Sequence, residues 1–196
     1  MTAPPQIRAD DAALIKQPWD QAEAFAEIYD RHAGPIYRYV ARRLGEGAAD
    51  DVVAETFLAA FRARRRYDLR QPSARPWLYG IAANVIGKQR RTEVRMLRAF
   101  ARSGLDPVVE GDADRSDSRV SAAALQRDLA AALAGLAARD RDALLLIAWA
   151  DFSYHEVALA LDIPIGTVRS RLNRARLKLR KALGGQDPTS LEESSS

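Results

Sequence analysis

SYHEVALALDIPIGTVRSRLNRARLKLRKAL, residues 153–183, is the stretch that decides the fold. Ser153 and Glu156 stand at capping-box spacing, where each side chain satisfies a free amide at a helix start. The helix behind them buries Val157, Ala158 and Leu161, and Asp162-Ile163-Pro164 supplies a short turn. From about Ile165 to Leu183, Val168, Leu172, Ala175 and Leu179 recur at the period of one helix face. The remaining surface carries Arg169, Ser170, Arg171, Asn173, Arg174 and Arg176. Seven basic residues and no acidic one lie between Ile165 and Lys181. A face kept only for solubility would mix both signs. A short helix, a tight turn and a long basic helix form a helix-turn-helix, whose second helix enters the major groove. Arginine and asparagine there pair with guanine and adenine edges. The expectation is a duplex-DNA reader.

Upstream, proline and glycine divide the chain into further helices, and no alternating strand pattern interrupts them. The expected fold is all-α: two small helical domains joined by a flexible acidic linker, with the helix-turn-helix in the second. The expected boundaries are an N-terminal arm over 1–19, a first domain over 20–101, the linker over 102–119, a second domain over 120–183 and a disordered tail over 184–196. In the first domain, a helix to about His32 carries Phe25, Ile28 and Tyr29 on one face, and Gly34-Pro35 restarts the chain into a second. A third spans about Ala49 to Ala63, with Val53, Phe57, Ala60 and Phe61 at helical spacing. Residues 67–75 read as a loop. A long fourth helix starts at Pro76, a favoured first-turn position, and runs to about Phe100. In the second domain, Leu125, Leu129, Leu133 and Leu136 form a stripe.

Composition narrows the chemistry. There is no cysteine, which excludes disulfides, thiolate metal sites and thiol nucleophiles and suits a reducing compartment. The first residues lack the basic start and apolar run of a secretory signal, and no apolar run approaches the length of a membrane span. A cytoplasmic protein is expected. The net charge of +4 resolves into +6 over residues 21–101 and +4 over 122–183, with acidic segments between and around them. Such asymmetry fits polyanion binding, though an arginine-rich composition reflecting a GC-rich genome would give it as readily.

In the fourth helix, Trp77, Asn84, Lys88, Arg91 and Arg95 recur at steps of seven, four, three and four. An aromatic ring to stack on a base, an amide to read an edge and cations to follow phosphates suit single-stranded nucleic acid. The pattern alone leaves Trp77 equally open to a core role.

Four motifs together resemble the extracytoplasmic-function sigma factors of bacterial RNA polymerase. They are Phe25-Ala26-Glu27-Ile28-Tyr29-Asp30-Arg31-His32, Asp50-Asp51-Val52-Val53-Ala54-Glu55-Thr56-Phe57, Pro76-Trp77-Leu78-Tyr79-Gly80-Ile81-Ala82-Ala83-Asn84, and Gly166-Thr167-Val168-Arg169-Ser170-Arg171-Leu172-Asn173-Arg174-Ala175-Arg176. The resemblance covers about residues 20–183. It implies an initiation factor that binds core RNA polymerase, on the clamp of the largest subunit and the flap of the second largest, and recognises promoter DNA. Asp51, Glu55, Leu58 and Arg62 would meet the clamp. Trp77, Asn84, Lys88 and Arg91, with the loop before them, would hold the melted strand at the minus-ten element. Arg169, Ser170, Arg171, Asn173, Arg174 and Arg176 would read the minus-thirty-five element. An anti-sigma factor is the expected regulator, the free protein a monomer, and neither cofactor nor metal is implied.

Other readings account for less. A dimeric helix-turn-helix repressor or activator leaves the Asp51/Glu55 face and the Trp77 ladder unused. An enzyme on nucleic acid would need a phosphate loop, a nucleophile elbow or a metal pair. The chain offers only His32 and His155, far apart in sequence, so no catalytic activity is expected. An interaction scaffold would not need a recognition face free of carboxylates.

Overall fold

The computed structural model describes residues 10–16, 22–103 and 116–184, and all regular structure among them is helical. The helices are α1 (Asp11–Ile15), α2 (Ala22–Leu44), α3 (Glu46–Ala63), α4 (Arg75–Lys88), α5 (Arg90–Ser103), α6 (Ser116–Ala134), α7 (Ala138–Ala150), α8 (Tyr154–Leu161) and α9 (Ile165–Ala182), with a single 3₁₀ turn at Arg64–Arg66. Helices α1–α5 form one unit and α6–α9 a second, with α6 lying along α5 as well as meeting α9.

Several boundaries differ from expectation. Gly34-Pro35 does not restart the chain, since α2 runs through Pro35. Proline removes one donor and crowds the preceding turn. The helix holds because Ile28 before it and Ile36, Tyr39 and Val40 after it are buried in one core. The next helix starts at Glu46, three residues early, because Gly45 at φ 88° makes the turn by itself. The single long fourth helix is two. The chain breaks at Gln89 (φ −101°, ψ 24°), whose carbonyl accepts from Thr92 and Glu93 and so starts α5 on a new axis. Gly87 just ahead weakens the helix locally. The break turns Glu93 and Leu97 inward. The expected linker is narrower, because helix covers 102–103 and 116–119; the rest of it, 104–115, lies outside the described residues, as do 1–9 and most of the expected tail. The arm is partly ordered: Asp10 caps α1 by accepting from Ala13 N at 2.7 Å. In the second unit Leu133 and Leu136 are buried, whereas Leu125 of the same stripe is exposed.

The two units pack against each other. Gly80 of α4 lies so close to α8 that a Cβ there would sit 2.1 Å from the Ala160 carbonyl oxygen. Tyr79 packs on Phe152 with ring centres 5.0 Å apart. Arg75 lies over the same Phe152 ring, 4.4 Å from its centre, and donates to the Ala150 carbonyl.

Beside this contact, charge is buried. The Glu93 carboxylate accepts from Arg43 Nε and from Arg141 Nη2, both at 2.7 Å. Arg43 also donates to Asp142 at 2.6 Å and to the Tyr39 hydroxyl at 2.9 Å. Arg43, Glu93 and Arg141 are each no more than 2% exposed. Burial alone would raise the Glu93 carboxyl, but Arg43 and Arg141 outweigh it and hold it below the usual range. Burial pushes the Tyr39 phenol up to about 12. Arg141 donates as well to the carbonyls of Leu133 and Leu136, closing the C-terminal end of α6.

Candidate nucleic-acid interface

The helix-turn-helix forms as its sequence specifies. Ser153 Oγ accepts from Glu156 N at 3.2 Å, and Glu156 Oε2 accepts from Ser153 N at 2.8 Å, completing the capping box. Burial would raise the Glu156 carboxyl, yet the hydrogen bonds from Ser153 hold it low. His155 is exposed inside that box. Asp162, in the left-handed region at φ 49°, ends α8, and Ile163 N returns to the Ala158 carbonyl at 3.1 Å. The turn is therefore made by Asp162, while Pro164 caps the start of α9.

Val168, Leu172, Ala175 and Leu179 of α9 are all buried. At about 100° per residue, Ser170, Asn173, Arg174 and the exposed Leu177 point away from that core. Arg171 is half-buried on one flank. Arg176 lies on the other, where it lines an apolar cleft with Leu129, Leu144, Ile147 and Trp149. Arg174 is held: its Nη2 donates to Asp140 Oδ1 at 2.8 Å and its Nε to Oδ2 at 3.1 Å.

In the first unit, Trp77 is half-buried, with its ring 5.0 Å from that of the buried Tyr67. One side of the indole packs on the loop, and the residue keeps some exposure. Asn84 and Lys88 are exposed further along α4. The break at Gln89 removes Arg91 and Arg95 from that ladder. They lie on α5, lining a basic groove with Arg90, Arg98 and Arg102.

Sequence reasoning missed what holds the loop over 67–74. Asp11 of α1 accepts from Ala74 N at 2.7 Å, and its own amide donates to the Pro72 carbonyl at 3.0 Å. The same carboxylate binds His32 Nε2 at 2.8 Å and Arg31 at 3.0 Å. Burial would raise Asp11, but the His32 hydrogen bond and the Ala74 amide keep its carboxyl low. Tyr67 closes the loop by donating to the Gln71 carbonyl at 2.6 Å. The only local signal was an acidic pair, Asp10-Asp11, ahead of a short apolar run.

On α3, Asp51, Glu55, Leu58 and Arg62 are all exposed on one side, opposite the buried Val53, Phe57 and Ala60. Leu58, at 49% exposure, is a large apolar side chain set among charges. Glu55 accepts from Lys88 of α4 at 2.6 Å, so the two expected contact faces share an edge. No group of acidic, histidine or cysteine side chains able to hold a metal occurs among the described residues, and no described helix is long and apolar enough to cross a membrane.

Two family descriptions match in order: Sigma-70 region 2 over residues 28–96 and Sigma-70, region 4 over residues 126–179. The RNA polymerase sigma factor CarQ of Myxococcus xanthus is 35% identical over 165 residues, 83% of this chain and 90% of CarQ. The ECF RNA polymerase sigma factor SigE of Mycolicibacterium smegmatis is 32% identical over 187 residues, 91% of this chain and 70% of its own. Among solved structures, CnrH in complex with the cytosolic domain of CnrY matches with a TM-score of 0.59 at 27% identity, covering 90% of this chain and 98% of that one. RpoE of Bartonella quintana, solved with the anti-sigma factor NepR, matches with a TM-score of 0.55 at 25% identity, covering 83% and 98%. With a helix-turn-helix in region 4, an exposed charged face on α3 in region 2 and relatives of this identity along most of its length, the chain belongs to the extracytoplasmic-function family of RNA polymerase sigma factors.

Proposed function

We propose a division of labour within this sigma factor. The outer side of α9 reads the minus-thirty-five duplex. Trp77, Asn84 and Lys88, with the loop over 67–74, hold the melted strand at the minus-ten element. Asp51, Glu55, Leu58 and Arg62 dock on the clamp of the largest polymerase subunit, and the apolar cleft beside Trp149 receives the flap of the second largest. Arg91, moved onto α5, follows backbone phosphates with its neighbouring arginines. The observation that supports this reading is the Glu55–Lys88 pair, which joins the exposed side of α3 to the exposed end of α4. A surface pair of this kind is worth only ~0.2–1 kcal/mol, so both groups exchange readily for polymerase and DNA.

The packed arrangement of the two units cannot serve both elements at once. Elements centred ~25 base pairs apart span ~85 Å of duplex at about 3.4 Å per step, whereas α4 and α8 touch at Gly80 and Ala160. Promoter binding therefore separates them. The chain itself catalyses nothing; the polymerase does the chemistry, in the cytoplasm. The free protein is a monomer, and an anti-sigma factor is its regulator, a reading supported by the similarity to chains solved with CnrY and NepR.

Two variants test this division. Asp51→Arg with Glu55→Arg is expected to abolish co-elution with core polymerase while circular dichroism stays unchanged. Asn84→Ala with Lys88→Ala is expected to keep core binding and the minus-thirty-five footprint. It should lose permanganate reactivity of unpaired thymines at the minus-ten element, since each captured base is worth ~1–3 kcal/mol. Undiminished co-elution of the first variant, or normal reactivity in the second, moves the corresponding role to another surface.

A further inference from the structure

Arginine presents two forks. One is formed by Nε and Nη2 along the side of the guanidinium, the other by Nη1 and Nη2 at its end. In Arg174 the side fork is taken, with Nε on Asp140 Oδ2 at 3.1 Å and Nη2 on Oδ1 at 2.8 Å. Its Nη1 makes no hydrogen bond among the described residues. The arginine side chain is 55% exposed, while that of Asp140 is only 6% exposed. Asp140 sits in the first turn of α7, where the free amides of the helix start favour a carboxylate, so the clamp is itself anchored. Arg174 lies one turn beyond Ser170 on the outer side of α9. A planar cation gripped along one side and open at its end has the geometry that reads guanine O6 and N7 in the major groove.

We infer that Asp140 is a positioning residue for promoter recognition: it fixes the Arg174 guanidinium so that its end fork meets a guanine of the minus-thirty-five element. The inference rests on the reading of α9 given above and assigns its sharpest specificity to one pair of residues, one of which never touches DNA. Without the clamp, Arg174 keeps its charge but samples many rotamers, and a mobile cation finds phosphates as readily as bases. Asp140→Asn takes away a negative charge beside the basic α9, so it should not weaken binding that ignores sequence.

That opposition separates positioning from mere structural support. The experiment is competition binding of holoenzyme, reconstituted from core polymerase and the full chain, to promoter duplexes carrying every single-base change in the minus-thirty-five element and to a duplex with that element scrambled. For Asp140→Asn, discrimination at one G·C position is expected to fall about tenfold, while the other positions and the scrambled duplex change less than about twofold. Arg174→Lys retains the cation without the fork and leaves the start of α7 intact, so it should lose discrimination at the same position even if Asp140→Asn folds poorly. Adding Asp140→Asn to Arg174→Lys should then cost nothing further there. Equal loss at all positions would make Asp140 a structural residue and overturn the inference. Loss with Arg174→Lys but not with a folded Asp140→Asn would overturn positioning while leaving α9 as the reader. No change with Arg174→Lys would overturn base reading by Arg174 itself.

Discussion

Glu93→Ala is expected to destabilise the packed arrangement by ~3–5 kcal/mol, because it leaves two guanidinium groups buried without their shared carboxylate. Arg43 would keep Asp142 and the Tyr39 hydroxyl, and Arg141 would keep the Leu133 and Leu136 carbonyls. The Asp142 carboxylate still pairs with Arg43, so the charge left uncompensated is chiefly that of Arg141, which keeps only carbonyls. The cheapest relief is for α7 to leave α2 and α5, letting water reach both arginines. Calorimetry should show the melting temperature falling on the order of 10 °C for a chain of this size, and small-angle scattering should show expansion. A variant within about 2 °C of the wild type would mean that the ion cluster is already hydrated in solution. The same residue sets a pH dependence. Its carboxyl lies below the usual value when folded, so its contribution is complete above the unfolded pKa of about 4.3 and is lost as pH falls through the lower folded value. Acid should therefore loosen the wild type, whereas the alanine variant should lose this part of its acid sensitivity.

Gly80→Ala should separate the units with almost no effect on either one alone. The added methyl would lie 2.1 Å from a backbone oxygen of α8, and backbone cannot move aside as a side-chain tip can. Within α4 the same change favours helix by ~1 kcal/mol. Helix content should hold or rise while the radius of gyration increases by several ångströms, the reverse of what an ordinary core lesion produces. Retention of the wild-type radius would show that α4 and α8 can shift together to make room. Because the variant acts by steric exclusion and Glu93→Ala by charge, agreement between them would locate the packed interface by two independent means.

The sequence by itself determined the helix-turn-helix, because every signal there is local. A capping box spans four residues, the apolar face repeats within single turns, and the absence of carboxylates along α9 is visible in composition. The exposed face of α3 was legible for the same reason. What only the tertiary structure decided involves partners distant in sequence. The helix break at Gln89, which carries Arg91 and Arg95 off the Trp77 ladder, accompanies the burial of Glu93 against Arg43 and Arg141, 50 and 48 residues away. The continuity of α2 through Pro35 depends on a core that outweighs one lost hydrogen bond. Asp11 reaches Ala74 across 63 positions, and Asp140 reaches Arg174 across 34. A carboxylate in a sequence shows its charge but not its partner. Pairing is set by where packing brings the helices, and packing is a property of the whole chain.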